Sequence, residues 1–273
     1  MAGGPMSEAL VEITGLTKDF GQTRAVDNAS FAIRRGETFG LVGESGSGKS
    51  TIASMLLCLT KPTAGEIFFH GKRIDQLSTR ELAPYRKDMQ LVMQDPISSL
   101  NRRKKVQDII GLPLALHHGL PGGKRTDRIV QLLELVGLSA DYLSRYPHEL
   151  SGGQCQRVSI ARSLSINPEF LVLDESVSAV DVLIQAQILN LLNNLQDEFG
   201  LTYLFVSHDL AVVRYMCDRI AVMQAGRILE VSDRDDIFSP RAHEYTRALI
   251  AASPASLAAK ASTTPPLQME KSP

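Results

Sequence analysis

The sequence contains no tryptophan, and aromatic residues make up only 5% of its 273 positions. Proteins hold single-stranded nucleic acids by stacking the bases on aromatic side chains, so this scarcity argues against such a surface. The chain also lacks an excess of positive charge, because 29 Lys and Arg residues balance 30 Asp and Glu residues. It therefore has no net basic field to attract a nucleic acid backbone or an anionic membrane. We expect no nucleic acid partner.

Cysteines and long apolar runs are scarce as well. Cys58, Cys155 and Cys217 are widely separated, without the short spacing that zinc or iron-sulfur sites favour. Apolar runs such as Phe170–Leu173 are much shorter than the roughly 20 residues of a membrane-spanning helix. Residues 1–10 lack the charged start and apolar stretch of a secretory signal. These absences predict reduced thiols and a chain that resides in the cytoplasm.

The apolar periodicity changes along the chain. Residues 10–42 carry short apolar stretches between turn formers, which predicts strands and tight turns. From about residue 96 to 165 the period is helical, whereas strands and helices alternate after Pro168. Such alternation is typical of parallel strands joined by crossover helices. We therefore expect one α/β domain over residues 10–254, with a helical subdomain at about 96–165.

Three segments are predicted to lack regular structure. Residues 1–9 and the Ala-, Ser-, Thr- and Pro-rich residues 255–273 are expected to be flexible ends. Residues 116–125 combine several Gly and Pro, which predicts an exposed loop. This loop contains His117 and His118, but no other ligands stand in register with them. A solvated loop is therefore the preferred interpretation over a metal site.

A complete Gly-x4-Gly-Lys-Ser pattern spans Gly43–Ser50. It follows the apolar stretch Thr38–Val42 and precedes apolar residues at helical spacing, a context that a flexible Gly/Ser linker rarely has. Backbone N–H groups of such a loop converge on phosphate oxygens at a helix N-terminus. Lys49 is expected to reach the β and γ phosphates, and the Ser50 hydroxyl to ligate Mg²⁺. The residues expected to contact ATP here are Gly43, Glu44, Ser45, Gly46, Ser47, Gly48, Lys49, Ser50 and Thr51.

Two carboxylates, Asp174 and Glu175, follow the apolar strand Phe170–Leu173. An Asp-Glu pair after a strand is more often a helix N-cap and a first-turn acid than a catalytic pair. The phosphate loop reverses that preference, because a nucleotide site needs a second half at a strand end. We expect Asp174 to hold Mg²⁺ and Glu175 to orient or deprotonate the attacking water.

Gln94 and His208 stand at the ends of two further apolar strands. Gln94 precedes Asp95 and Pro96, and the proline predicts a loop there. Taken alone, Gln94 would be an exposed loop residue. A lone His208 would more often cap the next helix or lie hydrogen-bonded in the core.

A second glycine-rich segment, Leu150–Gln154, precedes a helical pattern. Gly152 and Gly153 could mark only a tight turn. Ser151 followed by free N–H groups at a helix N-terminus, however, forms a second anion site in the chain. Such a site is redundant unless the γ phosphate of another molecule occupies it.

From about residue 11 to 254 these motifs resemble the nucleotide-binding subunits of ATP-binding cassette (ABC) transporters. Finer matches resemble the subgroup of dipeptide, oligopeptide and nickel importers. They are Gln94–Pro96, Ser99–Asn101, Val177–Val182, Gln185–Gln187 and His243–Leu249. Departures from the subgroup pattern are Ser176, Val180 and Glu244, and none removes a reacting group. No Cys follows Cys217, so the iron-sulfur cluster of certain relatives is not expected.

The resemblance implies a P-loop NTPase core with a mostly parallel sheet, an N-terminal antiparallel β subdomain and a helical subdomain. It implies that His208 contacts the γ phosphate and that Gln94 touches Mg²⁺ and the attacking water. Phe20 would stack on adenine, and Asp181 would sense the partner's site. The residues implied to bind the partner's nucleotide are Ser151, Gly152, Gly153 and Gln154.

The resemblance further implies an ATPase peripheral to the inner membrane, on its cytoplasmic face, that drives uptake of peptides or similar small solutes. Its partners would be a second ATPase subunit, identical or different, and transmembrane permease chains, with an extracytoplasmic solute-binding protein acting indirectly. Two alternatives keep the cassette without transport: a phosphonate-degrading complex, and a role in DNA repair or translation. The latter relatives usually show a second cassette, a coiled coil or zinc motifs, which this sequence lacks.

Overall fold

A computed structural model of the chain describes residues 9–176 and 180–252. The predictions for residues 1–8 and 255–273, and for Val177–Ala179, lie outside this part. The strands are β1 (Ala9–Phe20), β2 (Thr23–Arg34), β3 (Thr38–Val42), β4 (Ala64–Phe69), β5 (Lys72–Arg73), β6 (Met89–Val92), β7 (Phe170–Asp174), β8 (Thr202–Ser207), β9 (Arg219–Gln224) and β10 (Arg227–Asp233).

The α-helices are α1 (Lys49–Leu56), α2 (Ala83–Asp88), α3 (Pro96–Ser99), α4 (Val106–His118), α5 (Gly122–Leu135), α6 (Gly152–Leu164), α7 (Val182–Phe199), α8 (Leu210–Met216), α9 (Arg234–Ile237) and α10 (Glu244–Ala251). Two short 3₁₀ helices, Ala140–Ser144 and Pro147–Glu149, lead into α6. In the described part of the chain, no helix combines the length and apolar character needed to cross a membrane.

The main sheet has six strands in the order β10-β9-β3-β8-β7-β6. All neighbours in it are parallel except β9 and β10, which form an antiparallel hairpin that turns at Ala225 and Gly226. A second, antiparallel sheet has the order β2-β1-β4-β5. The predicted α/β class, with a mostly parallel sheet and an N-terminal antiparallel subdomain, is confirmed.

Both faces of the main sheet are covered, which explains why its central strands are continuous apolar runs. In β7, Phe170 and Val172 face a core shared with the antiparallel sheet and α1. Leu171 and Leu173 face the opposite core, formed with α4–α8. Alternate residues of β8 divide in the same way. The sheet is thus held between the antiparallel subdomain on one side and the helices on the other.

The helical subdomain is built from α3 to α6, and the predicted loop at residues 116–125 was wrong for most of its length. Helix α4 continues to His118, and Gly119 ends it in the left-handed conformation with φ +59°. Helix α5 begins at Gly122, with Pro121 as its N-cap. The loop therefore occupies only residues 119–121, because both helices bury apolar faces, and this burial outweighs the weak helix propensity of their ends.

Candidate functional site

The phosphate loop connects β3 to α1, and its backbone geometry requires glycine at two positions. Gly43 and Gly48 have φ values of +154° and +108°. A Cβ atom at Gly43 would lie 2.1 Å from the carbonyl oxygen of Met223, and one at Gly48 would lie 2.3 Å from the carbonyl oxygen of Ala25. Both obstacles are backbone atoms that cannot move aside. The loop is therefore shaped by close packing against β2 and β9.

Lys49 begins α1 and lies folded into the loop. Its Nζ donates to the carbonyl oxygens of Gly43, at 2.9 Å, and Glu44, at 2.8 Å. Only 5% of the residue is exposed. Burial lowers the pKa of Lys49, while the carboxylates of Glu175 and Asp174 oppose that shift. The ammonium group is thus held inside the loop, where a phosphate would be cradled.

Asp174 ends β7 opposite the first turn of α1. The Ser50 hydroxyl donates to its Oδ1 at 3.2 Å. Burial raises the pKa of Asp174, and the hydrogen bond from Ser50 opposes the rise. Hydroxyl and carboxylate oxygens are ligands that Mg²⁺ prefers, so the donor set fits this ion. Among the described residues, no group of three or more His, Cys, Asp or Glu could hold a metal.

The Glu175 carboxylate joins the ends of three neighbouring strands. Gln94, beyond β6, donates from Nε2 to Glu175 Oε2 at 2.7 Å. His208, beyond β8, has its Nδ1 3.2 Å from Glu175 Oε1. Glu175 itself adopts φ +46°, and its N–H donates to the Val206 carbonyl at 2.9 Å. The structure therefore brings together Gln94, Glu175 and His208, which are separated by up to 114 residues.

The Ser151 segment, residues 151–154, begins α6. Ser151 is the exposed N-cap, and its Oγ accepts from the Gln154 N–H at 3.3 Å. Gln154 Oε1 in turn accepts from the Ser151 N–H at 2.9 Å, which completes a capping box. Among the described residues, no hydrogen bond connects this segment with the phosphate loop. The segment is ordered by its own contacts, and contact with a partner's nucleotide stays a prediction.

The two glycines of this segment differ in their surroundings. A Cβ atom at Gly153 would lie 2.5 Å from Cγ2 of Ile184 in α7, so this glycine is needed for helix packing. A Cβ atom at Gly152 would have Val180 Cγ1 as its nearest neighbour, at 4.0 Å. Substitution at Gly152 therefore tests ligand contact more cleanly than substitution at Gly153.

Phe20 and Asp181 lie on other elements. Phe20 ends β1, is 52% exposed, and has the Lys18 ammonium 4.9 Å from its ring centroid. Asp181 is the N-cap of α7, and its Oδ1 accepts from the Ile184 N–H at 3.0 Å. Thr51 is half-buried in the first turn of α1. Adenine stacking by Phe20 and sensing by Asp181 stay predictions.

Two tyrosines near the site were not found from the sequence. The Tyr142 hydroxyl accepts from Gln154 Nε2 at 2.8 Å. The Tyr245 hydroxyl, on α10, is buried and lies close to Glu44 of the phosphate loop; burial, followed by that carboxylate, raises the pKa of Tyr245. The run His243–Leu249 resembles the importer subgroup, but nothing in its sequence indicates which residue approaches the phosphate loop.

Comparison with known proteins points to one family. The family model described as "ABC transporter" matches residues 26–178. The oligopeptide transport ATP-binding protein OppF of Streptococcus mutans is 49% identical over 251 residues, covering 90% of this chain and 82% of the relative. The oligopeptide transport ATP-binding protein AppF of Bacillus subtilis is 48% identical over 235 residues, covering 86% of this chain and 71% of the relative.

Solved structures give the same picture. The chain superimposes on cbiO1 from Clostridium perfringens, part of the ABC transporter complex cbiONQ, with a TM-score of 0.78 and 28% identity over 91% of this chain and 97% of that one. It also superimposes on MJ0796, a bacterial ABC transporter cassette solved as a dimer. That match has a TM-score of 0.75 and 32% identity, and covers 82% of this chain and 98% of the cassette.

Proposed function

This chain belongs to the ABC transporter family, and from that premise we propose that it is the ATP-hydrolysing subunit of an importer for peptides or similar small solutes. The observation that carries the proposal is the Glu175 carboxylate, which is hydrogen-bonded by Gln94 and lies against His208. The solute class follows from the relatives, which are named as oligopeptide transport ATP-binding proteins.

We assign ATP binding to the phosphate loop and to Phe20. The loop N–H groups and Lys49 would take the phosphates, because the glycines let the backbone approach closely and the α1 N-terminus favours anions. Lys49 already lies within the loop, where its hydrogen bonds to the Gly43 and Glu44 carbonyls would give way to phosphate oxygens. The exposed ring of Phe20 is free to stack on the base.

The residues that would hold Mg²⁺ are Ser50, Asp174 and Gln94, because all three supply oxygen ligands. Ser50 and Asp174 are already within hydrogen-bond distance of each other at 3.2 Å. When bound, the ion supplies neutralisation of the charge on the β and γ phosphate oxygens. The positive charge of the ion would also favour the ionised form of Asp174, whose pKa burial raises.

Hydrolysis is assigned to Glu175 as the base that orients or deprotonates the attacking water. Gln94 and His208 hold its two carboxylate oxygens at 2.7 Å and 3.2 Å, so the carboxylate cannot rotate freely. We propose that both side chains exchange these contacts for the water and the γ phosphate when ATP binds. Positioning of the water and the γ phosphate by these side chains would supply much of the rate, because this class of reaction depends mainly on positioning and electrostatic stabilisation.

The second half of each ATP site would come from the Ser151 segment of another subunit. Ser151 is the exposed N-cap of α6, and its hydroxyl and the N-terminus of this helix would form the anion site. The similar cassette MJ0796 was solved as a dimer. We therefore propose that two such subunits, identical or different, close around ATP.

We propose that permease chains dock beside the helical subdomain, which would place this subunit on the cytoplasmic face of the membrane. A groove of about 700 Å³ runs between α3, α4 and α5 and includes Ser99, Leu112 and Arg125. Met93 and Ile97, beside Gln94, are 46% and 37% exposed, and Leu112 is 60% exposed. Apolar groups exposed next to a groove are typical of a protein contact, and Gln94 would connect that contact to the ATP site.

The central test is Glu175→Gln in the assembled transporter. We expect ATP hydrolysis to fall by about 10²- to 10⁴-fold, because the base is lost, while ATP binding by the purified chain is retained. The matched control is Glu198→Gln, at an exposed position on α7, which should hydrolyse ATP normally. Retained hydrolysis by Glu175→Gln would remove Glu175 from the assigned role.

A further inference from the structure

The side chain of Gln154 has both of its polar ends engaged within this chain. Its Oε1 accepts from the Ser151 N–H at 2.9 Å, and its Nε2 donates to the Tyr142 hydroxyl at 2.8 Å. The Ser151 N–H requires an acceptor, so the carboxamide oxygen must face it and the amide nitrogen must face Tyr142. The capping box of α6 is thus extended by one residue from the first of the two 3₁₀ helices, Ala140–Ser144.

Tyr142 is in turn fixed by the helical subdomain. Its N–H donates to the Ser139 carbonyl at 3.1 Å, and the Arg145 guanidinium lies 4.4 Å from its ring centroid. The Arg145 carbonyl accepts from the Val106 N–H at 2.9 Å, which ties the 3₁₀ helix to the start of α4. The backbone and ring of Tyr142 are therefore held by contacts that do not involve the Ser151 segment.

We propose that Tyr142 is a positioning residue for the half of the ATP site that this chain offers to its partner. Tyr142 holds the Gln154 carboxamide, the carboxamide holds the Ser151 N–H, and Ser151 is thereby kept as the N-cap. In this arrangement the Ser151 Oγ accepts from the Gln154 N–H, and its O–H is left to donate to a phosphate oxygen of the partner's ATP. This inference rests on the proposed function.

In this mechanism the two glycine-rich segments of one chain act at different steps. ATP first binds to the phosphate loop, which Tyr142 does not touch through any hydrogen bond among the described residues. Loss of the Tyr142 hydroxyl leaves Gln154 Nε2 without its acceptor, so the carboxamide is free to turn toward solvent and the capping box loosens. The effect should therefore fall on closure and hydrolysis, and spare initial ATP binding.

The test is Tyr142→Phe in the full transporter, which removes one oxygen and keeps the ring beneath Arg145. We expect kcat for ATP to fall about fivefold, the factor that one hydrogen bond of ordinary net strength is worth. KM for ATP, and the affinity of the isolated chain for a fluorescent ATP analogue, should change by less than about twofold, since the phosphate loop is intact.

The matched control is Tyr215→Phe. Tyr215 also bonds an amide side chain, donating to Asn190 Oδ1 at 2.6 Å, but it joins α8 to α7 outside the candidate site. This control should leave kcat unchanged. Thermal unfolding of both variants shows whether either change is a general loss of stability.

A double-mutant comparison decides whether Tyr142 acts through Gln154. In a Gln154→Ala background, Tyr142→Phe should lower kcat no further, because the shared interaction is already gone. The same fivefold loss in both backgrounds, or no loss in the single variant, would overturn the proposal. A wild-type complex that hydrolyses no ATP would instead refute the proposed function, so the two failures are distinguishable.

Discussion

The two glycine-rich segments of this chain use glycine for different reasons. In the phosphate loop, Gly43 and Gly48 have positive φ angles, and added Cβ atoms would meet backbone carbonyls at 2.1 and 2.3 Å. In the Ser151 segment, a Cβ atom added at Gly152 would have Val180 Cγ1 as its nearest neighbour, at 4.0 Å, whereas one added at Gly153 would meet the Ile184 side chain. The first segment packs closely against the backbone of β2 and β9, whereas the second is the capped start of a helix and begins at the exposed Ser151.

This difference fits the proposed function, in which one chain binds ATP and a second chain is needed to hydrolyse it. The phosphate loop lies beside Asp174 and Glu175 of its own chain. Both carboxylates oppose the lowering of the Lys49 pKa that burial causes. In the Ser151 segment, the Gln154 side chain accepts from the Ser151 N–H and donates to the Tyr142 hydroxyl. Substitutions in the first segment should therefore affect ATP binding by the isolated chain, whereas substitutions at Ser151 or Gly152 should affect hydrolysis by the pair.

The largest difference is expected between Lys49→Ala and Ser151→Arg, in the affinity of the isolated chain for ATP. Ser151→Arg places a bulky side chain where the partner's phosphate would lie, so hydrolysis by the assembled pair should fall at least about 100-fold, the loss expected when even one transition-state donor is removed. Its ATP affinity as an isolated chain should be unchanged. Lys49→Ala should already lose ATP affinity in the isolated chain, as measured by calorimetry.

Equal loss of ATP affinity in both isolated variants would contradict the proposed difference between the two segments. So would full hydrolysis by an isolated wild-type chain, because the Ser151 segment would then not be needed in a pair.

A second contrast concerns stability. Gly48→Ala should destabilise the fold by about 3 kcal/mol or more, because overpacking adds to the strain of a positive φ. Gly152→Ala should change stability by less than about 0.5 kcal/mol, as is usual at open positions. Urea unfolding of the two variants measures both values, and similar losses would contradict the proposed difference between the segments.

The smallest effect is expected at Asp181, the N-cap of α7. Asp181→Ala should cost about 1 kcal/mol of stability through loss of the cap, whereas Asp181→Asn keeps the cap at nearly full stability. If Asp181→Asn nevertheless slows hydrolysis by the pair, its charge serves communication between subunits. Unchanged hydrolysis would leave Asp181 with the capping role alone.

Local pattern was enough to predict the elements that carry the site. A parallel sheet collects the ends of its strands at one edge, so Gln94, Asp174 and His208, each beyond an apolar stretch, could be expected to meet. Periodicity also predicted the strands within residues 10–42 and the helices within about residues 96–165. These predictions depend on the spacing of residues that are close together in the sequence, and this spacing can be read directly.

Other features depend on contacts that spacing does not encode. Gly122 and Gly123 suggested a loop, but they open α5 because its apolar face packs on α4 and α6. Tyr142 lies 12 residues from Gln154, and Tyr245 lies far along the chain from Glu44. Only the packing of 3₁₀ and α-helices around the core brings these side chains together, so no local signal singled them out.

The turn of the β9–β10 hairpin has a consequence for synthesis of the chain. The Gly226 N–H donates to the Ser47 carbonyl at 3.0 Å, and the Gly226 carbonyl accepts from the Asp27 N–H at 2.8 Å. The phosphate loop is thus clamped by residues made about 180 positions later. A nascent chain on the ribosome therefore carries the whole Gly-x4-Gly-Lys-Ser sequence long before the loop can take its final shape. We therefore expect the capacity to bind ATP to develop late in translation, when most of the sheet is already available to fold.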